Sequence, residues 1–262
     1  MFTFHSIYFD DQPQAGRVLD LFEADADAPA RDIALFFVHG GGWRGGSRTN
    51  FHSIMREYAR RGFDCASTDY RLQGVYCPDQ VADIREGLDL FTEHLVRKNR
   101  PQRIVIHGAS AGAHLTMLTA FATPEEYGKP EKPLRFSPKI VGVAVQATPF
   151  SFEPWEDIFP KSWANMQGIV GKPYEGNEME FRKASPMHYI RSGQPAVFAL
   201  HAENEHMYPY FLVEEFKQRS EACGNSMTTK IYPSTEHGFF YSLERWQQRE
   251  AFEDILEFAE SL

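Results

Sequence analysis

Residues 103–122 read RIVIHGASAGAHLTMLTAFA, and this stretch decides the fold. Its first five residues have the apolar pattern of a β-strand, and residues 111–122 have the length and composition of a helix. Between the two lies GASAG at 108–112, a Gly-x-Ser-x-Gly pentad in the strand-to-helix context typical of a nucleophile elbow. Its glycines leave room for a sharp turn that lifts a serine above a sheet. The stretch therefore predicts Ser110 as a nucleophile.

Short β-rich runs alternate with helix-length amphipathic segments on either side of this stretch, a pattern typical of α/β folds with a parallel sheet. Because most of the runs are continuously apolar, we expect helices on both faces of the sheet. Strands are predicted at 33–38, 63–68, 103–107, 140–146, 196–201 and 228–232, with edge strands at 6–9 and 18–22. Helices are predicted at 50–61, 78–97, 111–122, 210–222 and 243–262.

Residues 148–193 break the alternation, because they are rich in Pro, Phe and Trp and contain no strand-like run. A segment of this size seldom forms a core of its own. We therefore interpret it as an insertion or cap over the edge of the sheet, and we expect residues 1–262 to form a single domain.

Composition excludes several classes of protein. The 27 basic and 36 acidic residues give a net charge of −9, which disfavours nucleic acid as a partner. The longest apolar runs, 33–38 and 140–145, are far too short for a membrane span. Residues 1–14 lack the basic and apolar regions of a secretory signal. Three cysteines without a C-x-x-C motif fit neither a disulfide framework nor a zinc site, so a cytoplasmic location is favoured.

A second glycine-rich motif, HGGGW at 39–43, follows the predicted strand 33–38. Three successive glycines let backbone N–H groups turn toward one point without side-chain interference. We expect the N–H groups of Gly41 and Gly42, together with that of Ala111, to form an oxyanion hole.

A serine nucleophile needs a general base, and the base needs a carboxylate that fixes its tautomer. His237 follows the last predicted strand, so it satisfies the chain order of serine, acid and histidine. The loop after strand 196–201 offers two candidates for the acid, Glu203 and Glu205.

Five segments together resemble the esterase and lipase-like group of the α/β-hydrolase superfamily. That group includes hormone-sensitive-lipase-type carboxylesterases, feruloyl and acetyl-xylan esterases, and kynurenine formamidases. The segments are HGGGW at 39–43, DYRL at 69–72, GASAGAHL at 108–115, SPMHYI at 185–190 and EHGF at 236–239. The resemblance implies a doubly wound, mostly parallel sheet of about eight strands, with the insertion following the sixth.

Position by position, the resemblance implies that Ser110 is the nucleophile and His237 the general base and then acid. In the family, a segment of the form H-G-x-x-D-x-x-V-P carries the acid, and here HAENEHMYP at 201–209 places Glu205 on that position, where Asp is usual. The implied chemistry is an acyl-enzyme intermediate, and it requires no metal or organic cofactor.

The substrate is less well defined by the sequence. Trp43, Phe150 and Trp155 are predicted to line an acyl or alcohol pocket, and the alternative is that these aromatic residues pack on one another. The leading hypothesis is hydrolysis of short-chain carboxylic esters, carbohydrate-acyl esters included, and the second is arylformamidase activity on N-formylkynurenine. A third is a non-catalytic ligand-binding protein of the same fold. The expected partner is a small ester or formamide, and the sequence leaves a homo-oligomer open.

Overall fold

A computed structural model describes residues 3–10, 16–136 and 138–262. Within these ranges eight strands form one sheet. Their bounds are β1 Phe4–Tyr8, β2 Val18–Phe22, β3 Ile33–Val38, β4 Cys65–Thr68, β5 Arg103–Ala109, β6 Lys139–Gln146, β7 Ala196–Asn204 and β8 Met227–Glu236. All eight predicted strands are therefore present, although several bounds differ by a few residues.

The sheet has the strand order β1-β2-β4-β3-β5-β6-β7-β8. The two pairings that involve β2 are antiparallel, and every other pairing is parallel. Of the two expected edge strands, β1 lies at the edge, whereas β2 lies between β1 and β4. The expectation of a mostly parallel sheet is confirmed.

Helices cover both faces of the sheet. Seven α-helices occur in the described residues: α1 His52–Arg60, α2 Cys77–Arg97, α3 Ala111–Phe121, α4 Pro160–Val170, α5 Glu178–Lys183, α6 Tyr210–Ala222 and α7 Trp246–Glu260. Alternation along β5 separates two apolar layers, because Ile104 and Ile106 pack in the layer that contains α2 and α3, whereas Val105 packs in the layer that contains α1 and α7. The continuously apolar strands predicted this two-sided burial.

The register of the strands brings distant parts of the chain to the same edge of the sheet. Val38 at the end of β3 pairs with Gly108 near the end of β5. Asn204 at the end of β7 pairs with Glu236 at the end of β8. The loops that leave these strands therefore begin as neighbours at the carboxyl edge of the sheet.

The insertion, residues 148–193, follows β6 and contains α4, α5 and a short 3₁₀ helix, Pro186–Tyr189. Asn165 of α4 lies beside Gly42, and Phe152 stacks on His114 with ring centroids 4.1 Å apart. The insertion therefore lies over the loops at the carboxyl ends of the central strands.

Two further expectations concern the membrane and the cysteines. Among the described residues, each helix is too short or too polar to cross a bilayer. Cys65, Cys77 and Cys223 are all free thiols. Of the N-terminal segment considered for a signal sequence, residues 1, 2 and 11–14 lie outside the described residues.

Candidate active site

Ser110 lies in the sharp turn between β5 and α3. Its backbone has φ 53° and ψ −120°, a conformation that a non-glycine residue rarely adopts and that costs on the order of 1–3 kcal/mol. Two backbone hydrogen bonds hold the turn: the Ser110 N–H donates to Gln146 O at 2.9 Å, and the His114 N–H donates to Ser110 O at 3.0 Å. The pentad is therefore the strained elbow that its sequence predicts.

Gly112 allows α3 to pack against β3 directly behind Ser110. A β-carbon at Gly112 would overlap the carbonyl groups of Val38 and His39. Only glycine fits here without a backbone shift, and this close packing keeps the elbow and the HGGGW loop in contact.

His237 follows β8, and its ring lies between Ser110 and Glu205. Its Nε2 is 2.9 Å from Ser110 Oγ, and its Nδ1 is 2.8 Å from Glu205 Oε2 and 3.0 Å from Oε1. An ionised carboxylate only accepts hydrogen bonds, so Nδ1 carries the proton. Nε2 is then free to accept the hydroxyl proton of the serine.

Glu205 is held as a buried carboxylate. Its side chain is fully shielded from solvent, and Oε1 accepts hydrogen bonds from the N–H groups of Met207 at 2.8 Å and Tyr208 at 3.4 Å. Burial raises the pKa of Glu205, but the hydrogen bond and charge of His237 and the two N–H donors outweigh it, so the pKa lies below its usual value. Glu205 is therefore ionised at neutral pH.

Glu203, the other candidate acid, has a different environment. Its Oε2 accepts a hydrogen bond from the backbone N–H of Ser234 at 2.8 Å, and its side chain is exposed. The geometry of the loop therefore favours Glu205. Asn204 pairs with Glu236, and the residues that follow them, Glu205 and His237, lie side by side.

The glycine loop after β3 lies next to the serine. Gly41 has φ 126° and Gly42 has φ 60°, and a β-carbon at Gly41 would overlap the carbonyl of Gly45. Within the described ranges, the N–H groups of Gly41, Gly42 and Ala111 donate to no protein acceptor. The neighbouring Gly40 N–H is already taken by the hydroxyl of Tyr241 at 3.1 Å. The three predicted oxyanion donors are therefore free for a ligand.

A cavity of about 350 Å³ opens above Ser110. Besides the serine, histidine and glycine residues already described, it is lined by Lys161, Ser162, Asn165, Met207, Tyr208, Gly238 and Tyr241. Its wall on the side of the insertion is thus polar.

The structure corrects the predicted pocket residues. Trp43 is buried, and its Nε1 donates to His114 Nδ1 at 3.2 Å. Phe150 is fully buried and packs on Phe216 with ring centroids 4.5 Å apart. Trp155 reaches the cavity only indirectly, through a ring contact with Tyr208. Trp43 and Phe150 do not line the cavity, because their rings are buried in the core, and the half-buried Trp155 does not line it either.

The buried histidines around the site are structural. Burial lowers the pKa of His107 and His114 to about 3, and it also lowers the pKa of His39. His114 Nε2 lies 2.7 Å from the carbonyl of Ala184, and its Nδ1 accepts from Trp43, so both nitrogens are used. These neutral rings are not available as the base.

Among the described residues, one group of side chains has the composition of a metal site. It consists of His5, Glu23 and His94, whose nearest ligand atoms lie within 4.8 Å of one another. The ammonium of Lys98 lies 3.1 Å from Glu23 and already neutralises its charge. None of these three residues lines the cavity at Ser110.

Comparison with known proteins agrees with this geometry. The BD-FAE family model matches residues 19–219. The chain belongs to the BD-FAE family. The resemblance to α/β-hydrolase esterases that its motifs indicate is therefore confirmed.

Two curated relatives of this BD-FAE protein come from Mycobacterium tuberculosis (strain ATCC 25618 / H37Rv). The probable carboxylic ester hydrolase LipM is 28% identical over 228 residues, which are 82% of this chain and 51% of LipM. The esterase LipQ is 26% identical over 238 residues, which are 85% of this chain and 54% of LipQ. The chain thus spans about half the length of the curated relatives it matches.

A solved structure extends the comparison to the whole fold. Esterase 2 of Thermogutta terrifontis, phosphonylated by sarin, superposes with a TM-score of 0.81 at 23% identity. The match covers 98% of this chain and 94% of that chain. The α/β-hydrolase fold is therefore confirmed over nearly the full length.

Proposed function

We propose that this BD-FAE protein is a serine carboxylesterase that hydrolyses small esters through an acyl-enzyme on Ser110. The observation that carries the proposal is the continuous hydrogen-bonded path from Ser110 Oγ through His237 to Glu205, next to three free N–H groups. The esterases among its relatives support the same activity.

In the first half-reaction, Ser110 Oγ attacks the acyl carbon while His237 Nε2 accepts the hydroxyl proton. The Glu205 carboxylate, fixed against Nδ1, stabilises the imidazolium that forms. The N–H groups of Gly41, Gly42 and Ala111 bind the oxygen that becomes negative in the tetrahedral intermediate. The imidazolium then protonates the leaving alkoxide, and the alcohol departs.

In the second half-reaction, water takes the place of the alcohol. His237 Nε2 accepts a proton from the water as it attacks the acyl carbon of the ester at Ser110. Collapse of the second tetrahedral intermediate returns the proton to Ser110 Oγ and releases the carboxylic acid. The cycle uses only groups that the site already contains.

The size of the cavity favours short acyl chains. A volume of about 350 Å³ lies near the lower end of the range for small-molecule sites. The Thermogutta esterase has been solved with propionate bound and with butyrate bound. We therefore expect acetyl to butyryl esters, with carbohydrate-acyl esters among them, to be better substrates than octanoyl esters.

The test is a substrate panel applied to the wild type and to Ser110→Ala. The panel contains 4-nitrophenyl acetate, butyrate and octanoate, an acetylated sugar, and N-formylkynurenine as the formamide alternative. We expect kcat/KM to fall toward octanoate and Ser110→Ala to lose several orders of magnitude in kcat. A formamide preference of about 100-fold over every ester would replace the esterase proposal with the formamidase. Full activity of Ser110→Ala would show that Ser110 is not the nucleophile. A wild type that binds but hydrolyses no member of the panel would indicate the non-catalytic alternative.

A further inference from the structure

The cavity at Ser110 is lined by one permanently charged side chain. Of its lining side chains, only Lys161 is a permanent cation, and the others are hydroxyl, amide, thioether or glycine. The Glu205 carboxylate does not line the cavity and is paired with His237. In a protein of net charge −9, the wall that faces the substrate is therefore positive.

Lys161 is not neutralised by a neighbour. In the described parts of the chain it forms no ion pair, whereas Lys172, two residues after the end of α4, pairs with Glu180 at 3.7 Å. Arg182 of the insertion likewise pairs with Glu153 at 3.1 Å. The free ammonium thus belongs to the cavity and not to the ion-pair network of the insertion.

A second donor lies on the same face of the helix. Asn165 is four residues after Lys161, so the two side chains are neighbours on α4. The Asn165 amide nitrogen lies 3.1 Å from the point that a β-carbon on Gly42 would occupy, and no hydrogen bond from it to a protein acceptor occurs in the described ranges. Two unpartnered donors therefore face the space between α4 and the oxyanion loop.

The N-terminus of α4 adds to the positive electrostatic potential at this wall. Lys161 is the second residue of α4, and the first turn of an α-helix presents unsatisfied N–H groups and the positive end of the helix dipole. Pro160 at the first position lacks an N–H to offer, so the next positions provide the donors.

We propose that Lys161 and Asn165 form an anion-binding subsite that selects ester substrates carrying a carboxylate. The inference rests on the proposed esterase function and adds the class of substrate. The carboxylate lies on a part of the substrate that does not react, and the catalytic steps are unchanged. Lys161 is exposed, so its attraction for a substrate carboxylate is that of an ion pair in contact with solvent. We therefore expect a small effect on selectivity that decreases as the salt concentration rises.

The experiment compares esters that differ in charge but little in shape. On the alcohol side, 4-acetoxybenzoate is compared with 4-acetoxybenzamide. On the acyl side, mono-4-nitrophenyl adipate is compared with 4-nitrophenyl hexanoate. For each pair, the ratio of anionic to neutral kcat/KM is measured at low and high NaCl for the wild type, Lys161→Gln, Lys161→Glu and the matched control Lys172→Gln.

We expect at least one pair to show an anionic preference of about fivefold in the wild type at low salt. The preference should vanish in Lys161→Gln, reverse in Lys161→Glu, persist in Lys172→Gln and shrink at high NaCl. Equal ratios in the wild type and Lys161→Gln, or the same loss in Lys172→Gln, would overturn the subsite.

Two readouts separate this proposal from the esterase function. Turnover of the uncharged esters tests the function alone, so their hydrolysis without a charge preference rejects only the subsite. Calorimetric binding to Ser110→Ala, with and without Lys161→Gln, of whichever anionic ester shows the preference tests the subsite without turnover. Binding that does not depend on Lys161 would overturn it.

Discussion

The loops that follow β5, β7 and β8 and the insertion that follows β6 contribute to the same cavity, but different interactions hold them in place. Strand pairing fixes the loops: Asn204 lies opposite Glu236, and the next residues are Glu205 and His237. Side-chain packing fixes the insertion, in which Phe150, Phe152 and Phe181 are fully buried.

This difference explains which side chains face the substrate. The register of β7 and β8 brings Glu205 and His237 next to each other, and their hydrogen bond then orients the two side chains. Packing instead buries Phe150, Phe152 and Phe181 of the insertion and leaves polar residues of α4 at the surface of the cavity. The insertion therefore contributes Lys161 and Asn165 to the cavity wall, and its buried phenylalanines stabilise the fold.

The largest effect should separate the two glutamates of the β7 loop. Glu205→Gln removes the charge that stabilises the His237 imidazolium and disturbs its tautomer, so we expect kcat for 4-nitrophenyl acetate to fall on the order of 10⁴-fold. Glu203→Gln is the matched control and should leave kcat within about twofold, because its carboxylate bonds to Ser234 N. Equal losses in both variants would contradict the assignment.

The packing behind the elbow should be the next most sensitive feature. Gly112→Ala places a methyl group against the carbonyls of Val38 and His39, so we expect a loss of about 1–3 kcal/mol in the free energy of unfolding. Gly176→Ala is a control with open space around its β-carbon, although its φ of 80° adds some strain. Urea unfolding of both variants makes the comparison. A Gly112 variant no less stable than wild type would show that the elbow is not held by this contact.

A buried phenylalanine of the insertion should affect stability and not catalysis. Phe150→Leu should lower the free energy of unfolding by about 1 kcal/mol while kcat/KM stays within about twofold, because the ring packs on Phe216 away from the cavity. The measurement is urea unfolding together with kinetics on 4-nitrophenyl butyrate. A large rise in KM without a change in stability would instead return Phe150 to the substrate pocket.

The sequence predicts the strands and the loops that follow them better than it predicts the insertion. Strands Ile33–Val38 and Val18–Phe22 and helix Tyr210–Ala222 have the predicted bounds, because continuous apolar runs and helical periodicity signal burial directly. Ser110 and His237 are recognisable because a motif or a strand end fixes each backbone position. Glu203 and Glu205 stayed equivalent until family resemblance and strand register separated them.

The polar wall of the cavity was not predicted. Lys161, Ser162 and Asn165 lie in a segment with no strand-like run, and its helix begins at Pro160 without a capping side chain. The only available signal was proline at the first helical position followed by polar residues at helical spacing. Aromatic composition drew attention to Trp43 and Phe150, but composition does not show whether a ring faces the core or the cavity.

The smallest effect concerns pH and the buried carboxylate. The pKa of Glu205 is lowered in the folded state, so its contribution to stability is present above the unfolded value of about 4.3 and is lost as the pH falls through the folded value. Between about pH 6 and pH 3.5, the free energy of unfolding should therefore fall more for the wild type than for Glu205→Gln. The difference in this free energy between the two proteins should narrow as the pH falls. Urea unfolding at both pH values measures it. A gap that widens on acidification would contradict the sign of the shift.

The most direct test of the account is to identify the residue that a fluorophosphonate modifies. The reagent reacts with a serine only where a base removes the hydroxyl proton and N–H donors bind the phosphonyl oxygen. Intact mass should show a single adduct, and peptide mapping should place it on Ser110, with no labelling of Ser110→Ala and strongly slowed labelling of Glu205→Gln. An unlabelled wild type, or an adduct on another residue, would contradict the claim that Ser110, His237 and Glu205 form one catalytic unit.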